Sequence, residues 1–236
     1  MELGDRCLCL QSSCKDKSFT DRGILSTVNS LYDPLGLVAP VTLYGKVLVK
    51  ELTSRRVDWD APLSHDKEEE CNQWRDSLQA LQQLSVPWCY AKNSLLSTRR
   101  KELCIFADAS EKAIWAVAYL RATDNEGNPH VGFVMEKSKL APRPAHTFPR
   151  LELYAAVLAK EMFELINKEI EVKFDAVKFF TDSPKILNHM KELELFETND
   201  FDLVEPERDA EIRPEVKILL TKVDNLQLGS QHFNVF

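Results

Sequence analysis

The chain has 236 residues, 44% of them hydrophobic and 28% charged, with a formal net charge of −7, a balance that excludes wholesale disorder and leaves room for one large or two small domains. No apolar run approaches the ~18 residues of a membrane span, and the opening Met-Glu-Leu-Gly-Asp lacks the basic and apolar regions of a signal peptide. The expected compartment is therefore cytosol or nucleus, with no membrane partner, and the six cysteines are expected as thiols rather than disulfides.

The charge is unevenly spread: residues 1–98 carry −2, residues 99–191 carry +2 and residues 192–236 carry −7. The acidity belongs to the tail, so the overall charge does not exclude a nucleic-acid partner for the mildly basic middle.

Residues 1–19 are polar and without period, and read as a loose lead-in. Cys7, Cys9 and Cys14 crowd there without a nearby fourth ligand of zinc-site type. Residues 20–98 read as a small helical unit. Thr20 can cap a first helix carrying Ile24, Leu25, Val28 and Leu31, which Asp33-Pro34 ends. Pro40 opens a second, with Leu43, Val47, Leu48 and Leu52 as its apolar side. A third runs from about Ser64 to Leu84, with Cys71, Trp74, Leu78 and Leu81 as one stripe. Asp58-Trp59-Asp60 is taken as loop.

Over residues 99–195 the period changes. Leu103–Ala107, Ile114–Leu120 and Val131–Met135 have strand length and are separated by turn chemistries at Asp108–Lys112 and Asp124–Asn128. They predict an antiparallel meander. Residues 138–148 are expected as loop, and Lys137, Lys139, Arg143 and Arg150 form a basic cluster with no acid between them. Such a cluster suits a phosphate backbone or simply a solvated face. Pro149 then starts a long helix whose buried side is Leu151, Tyr154, Ala155, Leu158, Met162, Leu165 and Ile166, with Glu152 in its first turn. A fourth strand, Ala176–Thr181, ends on Asp182, and Ser183-Pro184 begins a helix toward Leu193. Residues 196–236 are an acidic tail.

Asp108, Glu152 and Asp182 are thus three carboxylates delivered by three elements. If the first and fourth strands are parallel neighbours, both strand-end acids emerge on one edge, and a right-handed crossover can bring the helical acid to them. Converging acids repel unless cations bind, and hard oxygen ligands suit Mg²⁺ or Mn²⁺.

The strings Phe106-Ala107-Asp108-Ala109-Ser110, Pro149-Arg150-Leu151-Glu152-Leu153 and Phe180-Thr181-Asp182-Ser183 resemble the ribonuclease-H-like domain in the polyprotein of BEL/Pao long-terminal-repeat retrotransposons. Upstream, Arg22-Gly23-Ile24-Leu25-Ser26 and Tyr32-Asp33-Pro34-Leu35-Gly36-Leu37-Val38-Ala39-Pro40 are similar to the region linking that family's reverse transcriptase to its nuclease. Asp202-Leu203-Val204-Glu205-Pro206 and Glu211-Ile212-Arg213-Pro214 look like the segment that follows it. The resemblance implies an α/β fold with a ribonuclease-H-like mixed sheet, an antiparallel three-strand meander plus a parallel fourth strand. It implies Asp108, Glu152 and Asp182 as catalytic ligands of two Mg²⁺ or Mn²⁺ ions, and the RNA strand of an RNA–DNA hybrid as substrate. Ser110, Lys139, Arg143 and Arg150 are the candidate substrate contacts, although Ser110 and Ser183 could equally satisfy a turn or a helix cap.

The Asn-Pro-Ala-Asp-like string expected of relatives for a fourth ligand does not occur in the chain. The fifth strand is therefore expected to be lost, leaving an open sheet edge for the tail or a protein partner to cover. That leaves a weak or lost nuclease, with a non-catalytic remnant or interaction module as the alternative. An aspartic peptidase is disfavoured because Asp108-Ala109-Ser110 and Asp182-Ser183-Pro184 lack the glycine of an Asp-Thr/Ser-Gly loop.

Overall fold

Thr20 caps the first helix as the sequence predicts: its hydroxyl accepts the Gly23 N–H at 3.1 Å. In the computed structural model, which describes residues 7–9, 17–54, 58–81, 85–87, 95, 98–181 and 201–203, the chain divides into two units. Tripeptide 35–37 groups with the second unit, although its flanks on both sides belong to the first.

The first unit contains β1 (Cys7–Cys9), α1 (Asp21–Asn29), α2 (Ala39–Thr53), α3 (His65–Leu81) and β2 (Ser85–Pro87). β1 and β2 pair antiparallel. Of the apolar stripes read from the sequence, Ile24, Val28, Leu48, Leu52, Cys71, Trp74, Leu78 and Leu81 form one core with Leu31 packed against it, whereas Leu25, Leu43 and Val47 are half-buried outside it and Val38 and Val41 take their place. Trp74 is its anchor, with its indole N–H donating to the Val41 carbonyl at 2.9 Å. Gly45 lies so close to the Trp74 ring that a Cβ there would overlap it, which is why this turn of α2 carries no side chain. Asp60 accepts Arg22 at 2.7 Å, so the paired acids of the 58–60 loop do local structural work. The hydrogen bond and charge of Arg22 hold the Asp60 carboxyl below its ordinary range.

The second unit is a mixed sheet with one long helix. Its elements are β3 (Arg100–Ala109), β4 (Ala113–Thr123), β5 (Pro129–Leu140), α4 (Phe148–Glu169), β6 (Ala176–Phe180) and β7 (Phe201–Leu203), in sheet order β5-β4-β3-β6-β7. β3, β4 and β5 form the expected antiparallel meander, and β6 lies parallel to β3 with Phe106 opposite Phe180. Strand alternation sorts the faces. Leu103, Ile105 and Ala107 of β3, Ala116, Ala118 and Leu120 of β4, and Phe179 of β6 are buried together with Leu151, Ala155, Leu158, Met162 and Ile166 of α4. The opposite face carries Phe106, Tyr119, Phe133 and Phe180 as a row of stacked and edge-on rings. Burial, with Glu136 nearby, pushes the Tyr119 hydroxyl up to about 12.

Several sequence expectations change. The strands are longer than their apolar runs: β5 extends through Leu140, so Lys137 and Lys139 stand on a strand rather than in a loop. Alternation lets a strand carry outward lysines without burying them. Helix α4 starts at Phe148 with Pro149 second, and no acid lies in its first turn. Glu152 therefore belongs to the second turn. Where the fifth strand was expected to be lost, the tail contributes the three-residue β7, parallel to β6 with Lys178 opposite Asp202. That short strand occupies part of the edge expected to be open, because the outer N–H and C=O groups of β6 favour any extended partner.

Candidate active site

The chemistry read from the sequence centres on one end of the sheet, and chain topology shows why. β3 runs toward Asp108, which pairs with Trp115 next to the turn into β4. β5 returns to that same end, where Leu140 is opposite Ala113 and the Ala141 N–H donates to the Lys112 carbonyl at 2.9 Å. The chain enters α4 from there, so Glu152 lies on the part of α4 nearest in sequence to this sheet end. The helix leads away, and β6 comes back parallel to β3, finishing at Phe180 beside Phe106. Asp108, the start of α4 and the finish of β6 thus share one end of the sheet, as a crossover between parallel neighbours requires.

Asp108 is half-buried, on the sheet face away from the α4 core, and its Oδ1 accepts the Ala109 N–H at 2.6 Å. Glu152 is half-buried on α4 beside the buried Leu151. Asp182 and Ser183 lie outside the described residues, as does the helix expected after Ser183-Pro184. Among the described residues no three His, Cys, Asp or Glu side chains gather closely enough to hold a metal ion. The donor type nevertheless fits a hard divalent cation, since Asp108 and Glu152 offer only carboxylate oxygens.

The candidate substrate contacts are placed as follows. Ser110 is exposed, and its hydroxyl is engaged in the β3–β4 turn, where Oγ lies 3.1 Å from both the carbonyl and the N–H of Ala113. The turn reading of Ser110 accounts for these bonds. Lys139 is exposed near the end of β5, its Nζ 3.3 Å from Glu161 of α4, a surface ion pair worth at most about 1 kcal/mol. Arg143 is exposed in the 141–147 loop and precedes a cis Pro144. Arg150, exposed in the first turn of α4, donates from Nε to the Tyr154 hydroxyl at 3.0 Å, and His146 meets the Tyr154 ring edge-on. Lys139, Arg143 and Arg150 flank the path from β5 into α4.

Two features were not read from the sequence. Glu102, buried at 2% exposure, is surrounded by Arg100, Arg121 and Lys178. Its only sequence signal is a carboxylate directly before an apolar run. The other is tripeptide 35–37. The Leu35 carbonyl accepts the Glu136 N–H at 2.8 Å, and Asp33 Oδ2 accepts the Val38 N–H at 2.9 Å. Gly36, at φ +78°, lies against the Glu136 backbone with no room for a Cβ. The Leu35-Gly36-Leu37 tripeptide thereby acquires a physical reason: it lays a carbonyl on the outer edge of β5.

Among curated proteins none matches the chain. Solved structures similar to it include the foamy viral protease-reverse transcriptase dRH in complex with ds DNA, at 11% identity and TM-score 0.39, covering 77% of this chain and 34% of that one. Others are the LC11-RNase H1 in complex with RNA/DNA hybrid, at 18% identity and TM-score 0.24, covering 53% of this chain and 75% of that one, and the RNase H1 of the halophilic archaeon Halobacterium salinarum NRC-1, at 16% identity and TM-score 0.22, covering 54% and 76%. The chain spans about a third of the length of the foamy viral protein. These similarities are too distant to add to the assignment, which rests on sequence: a family model described as Pao retrotransposon-like RNaseH-like domain matches residues 20–183, beginning at the Thr20 cap and ending just past Asp182. The chain belongs to the Pao retrotransposon-like RNaseH-like domain family.

Proposed function

We propose that the chain is a metal-dependent nuclease domain acting on the RNA strand of RNA–DNA hybrids. The observation that carries the reading is topological: β3 with Asp108, the beginning of α4 with Glu152, and the end of β6, two residues before Asp182, meet at one sheet end. In this reading Asp108, Glu152 and Asp182 hold Mg²⁺ or Mn²⁺ through carboxylate oxygens. The cations, when bound, supply an activated water and charge stabilisation for the leaving 3′ oxygen.

The remaining work falls to the chain. Asp108, fixed on a central strand, and Glu152, fixed on a helix packed along that sheet, offer their oxygens from rigid elements, which keeps the donors in place without reorganisation. Lys139, Arg143 and Arg150 offer positive charge along the path from β5 to α4, suited to the phosphates of a hybrid recognised by shape and 2′-hydroxyls rather than by sequence.

The second reading, a module that keeps the fold without cleaving, is favoured by the lack of an Asn-Pro-Ala-Asp-like string. Incubating the full chain with Mg²⁺ and either an RNA–DNA hybrid or a DNA duplex of the same sequence separates the two. The nuclease reading expects cut RNA in the hybrid and an intact duplex. An uncut hybrid with retained hybrid binding supports the second reading.

A further inference from the structure

Glu102 is the most deeply buried charged residue among the described residues. Its Oε1 accepts Arg100 Nη2 at 3.0 Å and Lys178 Nζ at 3.2 Å, and its Oε2 accepts Arg121 Nη1 at 3.0 Å. Arg121 comes from β4 on one side and Lys178 from β6 on the other, so one carboxylate ties three adjacent strands. Enclosing a carboxylate costs desolvation that apolar packing would avoid, and a buried ionic group is better suited to specifying an arrangement than to adding stability.

The arrangement in question is the register of the parallel pair. β4 follows β3 through a tight turn that sets its register, whereas β6 arrives through the long α4 crossover, and no turn sets where it pairs. A one-residue slip would exchange Phe179, now in the α4 core, with Phe180, now stacked on Phe106, and would turn every following side chain to the other face. Two contacts oppose the slip. Asp175 accepts the Lys101 N–H at 2.7 Å and donates its own N–H to the Lys101 carbonyl at 2.8 Å. The Glu102–Lys178 pair then links β3 to β6 on the face that also carries Phe106 and Asp108.

We infer that Glu102, through Lys178, is a positioning residue that locks the β3–β6 register and so sets the end of β6 relative to Asp108, about 20 Å further along β3 at the usual strand rise. The inference rests on the proposed nuclease reading, in which Asp108 and Asp182 act together.

The test uses Lys178→Met in the full chain, with Lys178→Arg as the restoring variant, and reads Mn²⁺ affinity by titration and amide exchange along β6. Lys178→Met is expected to melt cooperatively, to expose the Phe179 and Phe180 amides to exchange, and to bind Mn²⁺ about 10-fold or more weakly, the scale seen when groups supporting metal ligands are removed. Lys178→Arg restores both. Unchanged Mn²⁺ affinity in Lys178→Met overturns the positioning role, whatever happens to exchange. Should the wild-type chain bind no Mn²⁺, the nuclease reading falls by itself and exchange decides the lock: exposed β6 amides uphold it and protected ones overturn it. If Lys178→Met does not fold, Glu102→Gln, which keeps the side chain's shape, is read in the same two ways.

Discussion

The rings of Phe106 and Phe180 stack with centroids 4.4 Å apart and planes 11° from parallel, directly opposite one another in the parallel register of β3 and β6. Each precedes a candidate acid by two residues, Asp108 and Asp182, so this contact is the last described pairing before the proposed site.

Phe180 is 3% exposed, and Phe180→Ala removes both the stack and its buried area. The expected loss is about 3–5 kcal/mol, the range for truncating a buried phenylalanine. Denaturant unfolding followed by circular dichroism measures it. A loss under about 1 kcal/mol would mean that the stack does not hold the pair together.

At Gly36 the expectation is local. An alanine must adopt φ +78° and place its Cβ against the Glu136 carbonyl, costing about 1–2 kcal/mol for the left-handed backbone alone. The 35–37 tripeptide should then lift from β5. Amide exchange at Glu136, whose N–H donates to Leu35, is the readout: fast exchange in Gly36→Ala is expected, and wild-type protection would contradict it. A shortened chain that begins at residue 98 should show the same loss.

Asp124 sets the acid sensitivity of the β4–β5 turn. Its Oδ1 accepts the N–H groups of Asn128 at 2.8 Å and Glu126 at 2.9 Å, and the Asn128 hydrogen bonds, backbone first, hold the carboxyl below its ordinary range. Because the folded pKa lies below the unfolded value of roughly 4, the contribution to stability is complete above that value and is lost as pH falls through the folded pKa. The Asn128 amide should therefore keep its chemical shift from pH 8 to pH 5 and move only under stronger acid. In Asp124→Asn that acid transition should vanish. A transition centred near pH 6 would refute the assignment.

Much of the fold was legible because local chemistry and tertiary structure agree. The Thr20 cap, Pro40 in the first turn of α2, the α3 stripe and the Asp124–Asn128 turn each depend on neighbours a few residues apart. Strand ends were less legible. β3 begins at Arg100 rather than at Leu103 because Glu102 is neutralised by Arg121 and Lys178, residues that no local pattern connects to it. The pairing of the 35–37 tripeptide was invisible for the same reason, since its partner is Glu136, about a hundred positions on. For the site, the order of strands and helix pointed to the sheet end where β3 carries Asp108 and from which the chain enters α4. Ser110 looked equally suited to a phosphate and to a turn until its bonds to Ala113 were seen, and Lys139 gave no hint of Glu161.

The central claim is that Asp108, Glu152 and Asp182 act as one metal-holding set, and the most direct measurement is Mg²⁺-dependent cleavage of a labelled RNA–DNA hybrid by the full chain and by Asp108→Asn, Glu152→Gln and Asp182→Asn separately. Each variant is expected to cut about 100-fold or more slowly than wild type while retaining the wild-type melt, the scale of removing one preorganised charge-stabilising group. Wild-type rates in any one of the three would remove that residue from the set, and no cleavage by the wild-type chain would contradict the nuclease reading.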